Sequence, residues 1–138
     1  LYLNRNNKEK KSFDTNDFDI SFARGLSLEE GAATLTVFTA NIISEEISIS
    51  LSMHDEKFKN IFICGGGRKN KFLLTEIKKR LSTNLELRSI DDYKIDGDFI
   101  ESQAFAFLAI RSVLNLPISF PSTTGCIKPC TGGKLINN

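Results

Sequence analysis

From Ser27 onward, apolar positions recur at Leu28, Ala32, Leu35, Phe38, Ile42, Ile43 and Ile47, three or four residues apart. That period lines them along one side of a helix and leaves the opposite side polar. Ser27 with Glu30 three residues on is a capping-box pattern, in which each side chain satisfies an amide of the other. The pattern then changes. NIFIC, residues 60–64, is a short β-rich run ended by glycines, which predicts a strand buried on both faces. NKFLLTEIKKRL returns to helical spacing through Leu73, Leu74, Ile77 and Leu81, with Asn70 placed to cap it. LELRSI, residues 85–90, reads as a second strand, and two strands joined by a helix normally lie parallel.

The acidic stretch DDYKIDGD, residues 91–98, predicts a loop. After it, Phe99, Ile100, Gln103, Ala104, Phe107, Leu108, Val113 and Leu114 are distributed around a third helix. Asp98 with Glu101 predicts its cap, small Ala104, Ala106 and Ala109 predict a close seat on a sheet, and Leu116-Pro117 predicts its end. The remaining tail, rich in Pro, Ser, Thr and Gly, reads as ordered loop with a short strand near Lys134 to Ile136 and fraying final residues. Two strands are few for helices this long, so the layout predicts the latter part of a larger α/β domain.

Composition narrows the partners. A length of 138 residues suits one domain, and 18 Lys+Arg against 17 Asp+Glu leave no overall field to attract nucleic acid or a membrane surface. No window reaches the roughly 18 consecutive apolar residues of a membrane helix. The opening carries Lys8, Lys10 and Lys11 but lacks the apolar run of about 7–15 residues that a signal peptide needs. A start at Leu1 reads as a processed or incomplete chain. Cys64, Cys126 and Cys130 form no disulfide framework, which predicts an intracellular, cytoplasmic chain. Cys64, inside its apolar run, is expected to be a buried hydrophobe. Cys126 and Cys130 have no second pair and His54 is distant, so no metal site is expected.

The candidate chemistry centres on Gly65, Gly66 and Gly67, at the carboxyl end of the first strand. Ligands of open α/β sheets bind outside such ends, and glycines let a ribose or phosphate approach the main chain. Arg68 and Lys69 stand ready to add positive charge. The same glycines would equally serve a tight strand-to-helix turn, and the run matches neither the P-loop nor the dinucleotide fingerprint. Both readings stay open. Glu101 and Asp98 are either a cap or carboxylates at the mouth of the same crevice. The hydroxyls of Ser122, Thr123 and Thr124 favour local turns over phosphate binding. Lys78, Lys79 and Arg80 read as a solvated helix face, and His54 as a helix-end or solvent-facing residue.

Taken together and in order, ICGGGRKN (63–70), DGDFIESQAFAFLAIRSVLNLPISFP (96–121), STTG (122–125) and TGGKL (131–135) resemble the anhydro-N-acetylmuramic acid kinase family, as KSFDTNDFD (11–19) does more loosely. That family is part of the acetate-and-sugar-kinase, heat-shock and actin superfamily. The resemblance implies a two-lobed fold with ATP and Mg2+ between lobes. This chain would be the latter part of an actin-like, ribonuclease H-like ATPase lobe, with residues 1–26 an entry segment and 27–138 a partial C-terminal lobe. It further implies that Gly65, Gly66, Gly67 and Asn70 meet the adenosine side of ATP, and that Glu101 is a carboxylate near the sugar. The implied reaction opens the 1,6-anhydro ring of anhydro-N-acetylmuramic acid with water and phosphorylates O6, yielding N-acetylmuramic acid 6-phosphate and ADP in cell-wall sugar recycling. The implied partners are the two substrates, a missing N-terminal lobe and, for the intact protein, a second copy.

The family's phosphate-wrapping G-T-S-x-D-G loop and general-base aspartate do not occur in these residues, which implies a fragment inactive by itself. Lys71 stands where the family often has proline, and Ser102 where alanine is usual. Two other classes remain: a non-catalytic nucleotide-binding module of the same fold, and a helix-rich interaction domain whose glycines only turn the chain.

Overall fold

The structure, a computed structural model, describes residues 17–52 and 60–136. His54 and most of KSFDTNDFD lie outside the described residues. The chain divides into two compact units, one of Ala23–Ile100, the other of the residues from Glu101 onward together with those up to Phe22. No helix among the described residues is long and apolar enough to cross a membrane.

In the first unit, helix α1 spans Leu28–Ser52, strand β1 Asn60–Ile63, helix α2 Lys71–Arg80 and strand β2 Glu86–Ser89. The capping box forms as expected. The Glu30 amide donates to Ser27 Oγ at 3.2 Å, and the Ser27 amide donates to Glu30 Oε2 at 3.2 Å. Asn70 caps α2 by accepting the Leu73 amide on Oδ1 at 3.0 Å. The strands pair in parallel, with Ile61 opposite Leu87 and Phe62 opposite Arg88.

The core of this unit is small. Ala40, Ile77 and Leu81 are buried, and Ile43, Ile47, Leu73, Leu85 and Leu87 pack against them. On α1 the inward stripe is Ala40, Ile43, Ser44 and Ile47, spaced as one helical face. Leu28, counted in the apolar face, is 84% exposed. Small Ala40 packs with Ile77 of α2, and Arg80 reaches from α2 to donate to Asn41 Oδ1 on α1. Arg80 also donates to Glu76 Oε2 at 2.7 Å, and Lys79 donates to Glu76 Oε1 at 2.6 Å. The basic end of α2 is therefore a solvated face only in part, because Arg80 bridges two helices. Ser44 Oγ is buried with no hydrogen-bond partner among the described residues. Replacing it removes an unsatisfied hydroxyl and improves helix propensity, so Ser44→Ala is expected to raise unfolding stability by about 1 kcal/mol. A melting temperature that falls would refute that account.

The sheet departs from expectation. Along both strands exposed and half-buried residues alternate, so the sheet is covered on one face only. Phe62 is 49% exposed and Cys64 is exposed, not the buried hydrophobe expected. The outer face is partly shielded by Tyr93, whose ring meets Phe62 edge-on at 5.0 Å and whose hydroxyl accepts from Arg88 at 2.9 Å. An uninterrupted apolar run marks a strand that needs cover on both faces. Among the described residues only one face receives it.

In the second unit, helix α3 runs from Ile100 to Val113 and the one-turn helix α4 from Pro121 to Thr124. The end of α3 comes before the predicted proline. Asn115 takes a left-handed conformation at φ 55°, the Asn115 amide donates to Ser112 O at 3.0 Å, and the Leu116 amide to Arg111 O at 2.8 Å. This is a Schellman closure, which asparagine can make where glycine is more usual. Arg111 Nε fastens the following chain by donating to Pro117 O at 2.7 Å. Among the described residues none of α3 is buried, and Ala104, Ala106 and Ala109, expected to be covered, are exposed. Residues 131–136 form no strand; the tail instead makes one antiparallel bridge between Ser119 and Cys130. Thr123 and Thr124 hydroxyls both donate to Phe120 O, the local turn role expected of them.

Candidate functional site

The three glycines join β1 to α2 through a 3-10 turn, Gly66–Lys69. Each has its own reason. Gly65 sits at φ 72° and ψ −179°, a region open in practice to glycine alone. Gly66 and Gly67 have no positive φ. A Cβ added to Gly66 would meet nothing within 4 Å, and one on Gly67 only ordinary contact with Leu73 at 3.8 Å. Within the described structure, the turn requires glycine at 65 and at neither of the next two positions.

The turn is braced by the acidic loop after β2. Gly65 N–H donates to Gly97 O at 2.9 Å, and Gly97 N–H donates to Asp91 Oδ1 at 2.9 Å. Asp91 accepts Arg68 Nε on Oδ2 at 2.6 Å and Nη2 on Oδ1 at 3.2 Å. Arg68 Nη1 donates to Asp98 Oδ1 at 2.6 Å and to Gly65 O at 2.9 Å, which closes a ring of contacts back on the first glycine. Ser89 Oγ donates to Asp91 Oδ2 at 2.8 Å, and Lys69 Nζ to Asp98 Oδ2 at 2.7 Å. The Arg68 side chain is only 8% exposed. It lies against Gly97, where a Cβ would come within 2.6 Å of Arg68 Nε.

This arrangement corrects two expectations. Arg68 and Lys69 do not stand as free positive charge, because Asp91 and Asp98 are bonded to them. The Asp98 carboxylate, expected as a helix cap, gives both oxygens to these basic residues. Hydrogen bonds to Asp98 and Asp91 hold the Arg68 guanidinium well above its ordinary pKa. The bond from Arg68, then those from Gly97 and Ser89, pull the Asp91 carboxyl far below the usual range. Arg68 and then Lys69 lower Asp98 to about 2. Depressed carboxylates support the fold above their ordinary pKa of about 4, so the bracing is complete at neutral pH. For Asp98 it is lost only as pH falls through about 2.

Asn70 joins the turn to α2, and its Oδ1 is committed to the cap. Glu101 lies in the other unit, exposed, in the first turn of α3. The sequence reading missed Asp91 and Gly97. Their signal was present as charge complementarity, an Arg-Lys pair after the glycines and an Asp-rich loop after the next strand. Among the described residues, no three His, Cys, Asp or Glu side chains gather where they could hold a metal ion.

Comparison with known proteins bears on what the turn belongs to. Residues 12–138 match the family described as anhydro-N-acetylmuramic acid kinase. The chain is 55% identical over 135 residues to a protein of that name from Pelagibacter ubique, covering 98% of this chain and 36% of the relative. It is 43% identical over 125 residues to one from Zymomonas mobilis, covering 91% of this chain and 33% of the relative. To one from Brucella anthropi it is 40% identical over 126 residues, covering 91% and 32%. The chain thus spans about a third of the length of these curated relatives. Since the match takes in the glycine turn, the acidic loop that braces it and the helix carrying Glu101, the chain belongs to the anhydro-N-acetylmuramic acid kinase family.

Proposed function

We propose that these residues form one wall of the substrate cleft of an anhydro-N-acetylmuramic acid kinase, within residues 27–138 as the latter part of an actin-like, ribonuclease H-like lobe. The turn at Gly65–Lys69 faces the adenosine side of ATP, and Glu101 faces the sugar. The observation that carries this reading is Gly66 with Gly67: folding does not need glycine at either position, whereas a molecule packed against the main chain does. The amides of the 3-10 turn would then meet the ribose or its neighbouring phosphate. Asn70, with Oδ1 used by the cap, has its Nδ2 hydrogens to offer a ligand.

In the proposed reaction water adds to C1 of the anhydro sugar and its proton passes to a base. The C1–O6 bond breaks, O6 takes the γ-phosphoryl group, and ADP leaves. A base and a phosphate-gripping loop on a second lobe complete the site. The described residues do not make a metal site, so Mg2+ is not assigned to them. The proposed setting is the cytoplasm, in recycling of cell-wall sugar.

The test uses the product of the complete reading frame that encodes these residues, with ATP, Mg2+ and 1,6-anhydro-N-acetylmuramic acid. ADP and N-acetylmuramic acid 6-phosphate are expected in equal amounts, and ADP release should require the sugar. ATP binding without turnover would replace this reading with a non-catalytic nucleotide module.

A further inference from the structure

We infer that Arg68 is a positioning residue: it latches the glycine turn to the loop after β2 and so fixes the main chain against which ATP is read, an inference that rests on the nucleotide-facing role proposed above. The contacts are specific to a guanidinium. Four of its N–H groups are directed, two to Asp91, one to Asp98 and one to Gly65 O. Gly65 is thereby held at both its amide and its carbonyl, the amide by Gly97 O and the carbonyl by Arg68 Nη1. The two anchors of the latch are themselves joined, since Gly97 N–H donates to the same Asp91 carboxylate that receives Arg68.

Gly97 explains why the side chain can lie there. It is buried, and any Cβ would run into Arg68 Nε, Cζ and Cδ at 2.6 to 3.0 Å. The stretch Gly97-Asp98 thus supplies a floor for the guanidinium and one of its carboxylates. A guanidinium whose charge is consumed by two carboxylates is poorly placed to bind phosphate as well, so its influence on ATP runs through the position of Gly65 and Gly66. Two models of Arg68 then make opposite predictions. If its charge met phosphate directly, lysine would largely substitute. A bidentate fork has no lysine equivalent.

The experiment measures KM for ATP, kcat and amide hydrogen exchange at Gly65 and Gly66 in the product of the complete reading frame, for Arg68→Lys, Arg68→Met and Gly97→Ala. Loss of the fork in either Arg68 variant is expected to raise KM for ATP about tenfold and to lower kcat by less than about threefold. Gly97→Ala should do the same with every charge intact. Exchange at Gly65 should accelerate in all three without nucleotide. Wild-type KM in Arg68→Lys, with KM still raised in Arg68→Met, would overturn the positioning role in favour of direct charge. Unchanged Gly65 exchange would overturn the latch itself. Faster exchange with KM unchanged in all three variants would leave the latch standing, and would overturn the nucleotide-facing role of the turn together with the positioning role built on it.

Discussion

Gly66→Asp is expected to weaken ATP binding by about a hundredfold or more while leaving the fold in place. The added Cβ would point into open space, and the residue keeps an ordinary backbone conformation. A carboxylate at the start of a 3-10 turn also faces the favourable end of the peptide dipoles, so the protein alone should tolerate it within about 0.5 kcal/mol. The cost falls on the complex. A negative side chain a few ångströms from the nucleotide's phosphates at an effective dielectric of about 20 opposes binding by about 3 kcal/mol, with steric exclusion added. Calorimetric titration of ATP, paired with a melting curve, separates the two effects. Gly66→Ala should fall between wild type and the charged variant. ATP affinity unaltered in Gly66→Asp would reduce the glycines to a turn and remove the nucleotide from this wall. Gly65→Ala gives the contrast, since at φ 72° it strains the backbone and should lower the melting temperature before any ligand is added.

That contrast shows where sequence reasoning succeeds. Interactions closed within a few residues were legible: the Ser27–Glu30 box, the Asn70 cap and the Thr123 and Thr124 turns each depend on a spacing of three or four. The parallel pairing was legible too, because a helix between two strands leaves few alternatives. Arg68 was not, since its partners lie 23 and 30 residues away and a basic residue beside glycines suggests phosphate as readily as a brace. Gly97 passed as loop composition; its reason appears only when the guanidinium is seen lying on it.

Burial was the weakest inference, and for a physical reason. Periodicity says which residues share a face, while exposure depends on what else covers that face. Phe62, Phe99, Phe107 and Val113 are 49%, 58%, 60% and 62% exposed despite patterns that predict cover. On α1 the error ran the other way. Ala40, which packs with Ile77 of α2, and Ser44 are the buried residues of α1, small side chains that let helices approach, yet a count of bulky apolar residues passes over them.

The second large effect is expected at Glu101. Glu101→Gln should lower kcat by roughly 10 to 10², the cost of losing a charged hydrogen bond of about 1.5–3 kcal/mol to the reacting sugar, with KM for ATP little changed. The substitution is close to isosteric. Glu101 is exposed, and its carboxylate makes no hydrogen bond or ion pair among the described residues, so no structural contact is lost. Only its favourable place in the first turn of α3 is affected, at a few tenths of a kcal/mol. A fall in turnover with an unchanged melting temperature therefore reports on chemistry. Glu101→Asp should retain more activity than the glutamine variant, because it keeps the charge and gives up reach. Steady-state kinetics with both substrates varied decides the point. A kcat for Glu101→Gln within twofold of wild type would leave the residue as helix-end charge and place the sugar-side carboxylate elsewhere. Combining Glu101→Gln with Gly66→Asp extends the argument. If one residue serves the sugar and the other the nucleotide, direct ATP titration should find the double variant as weak as Gly66→Asp alone. A further loss of affinity would mean that Glu101 belongs to the nucleotide's own site.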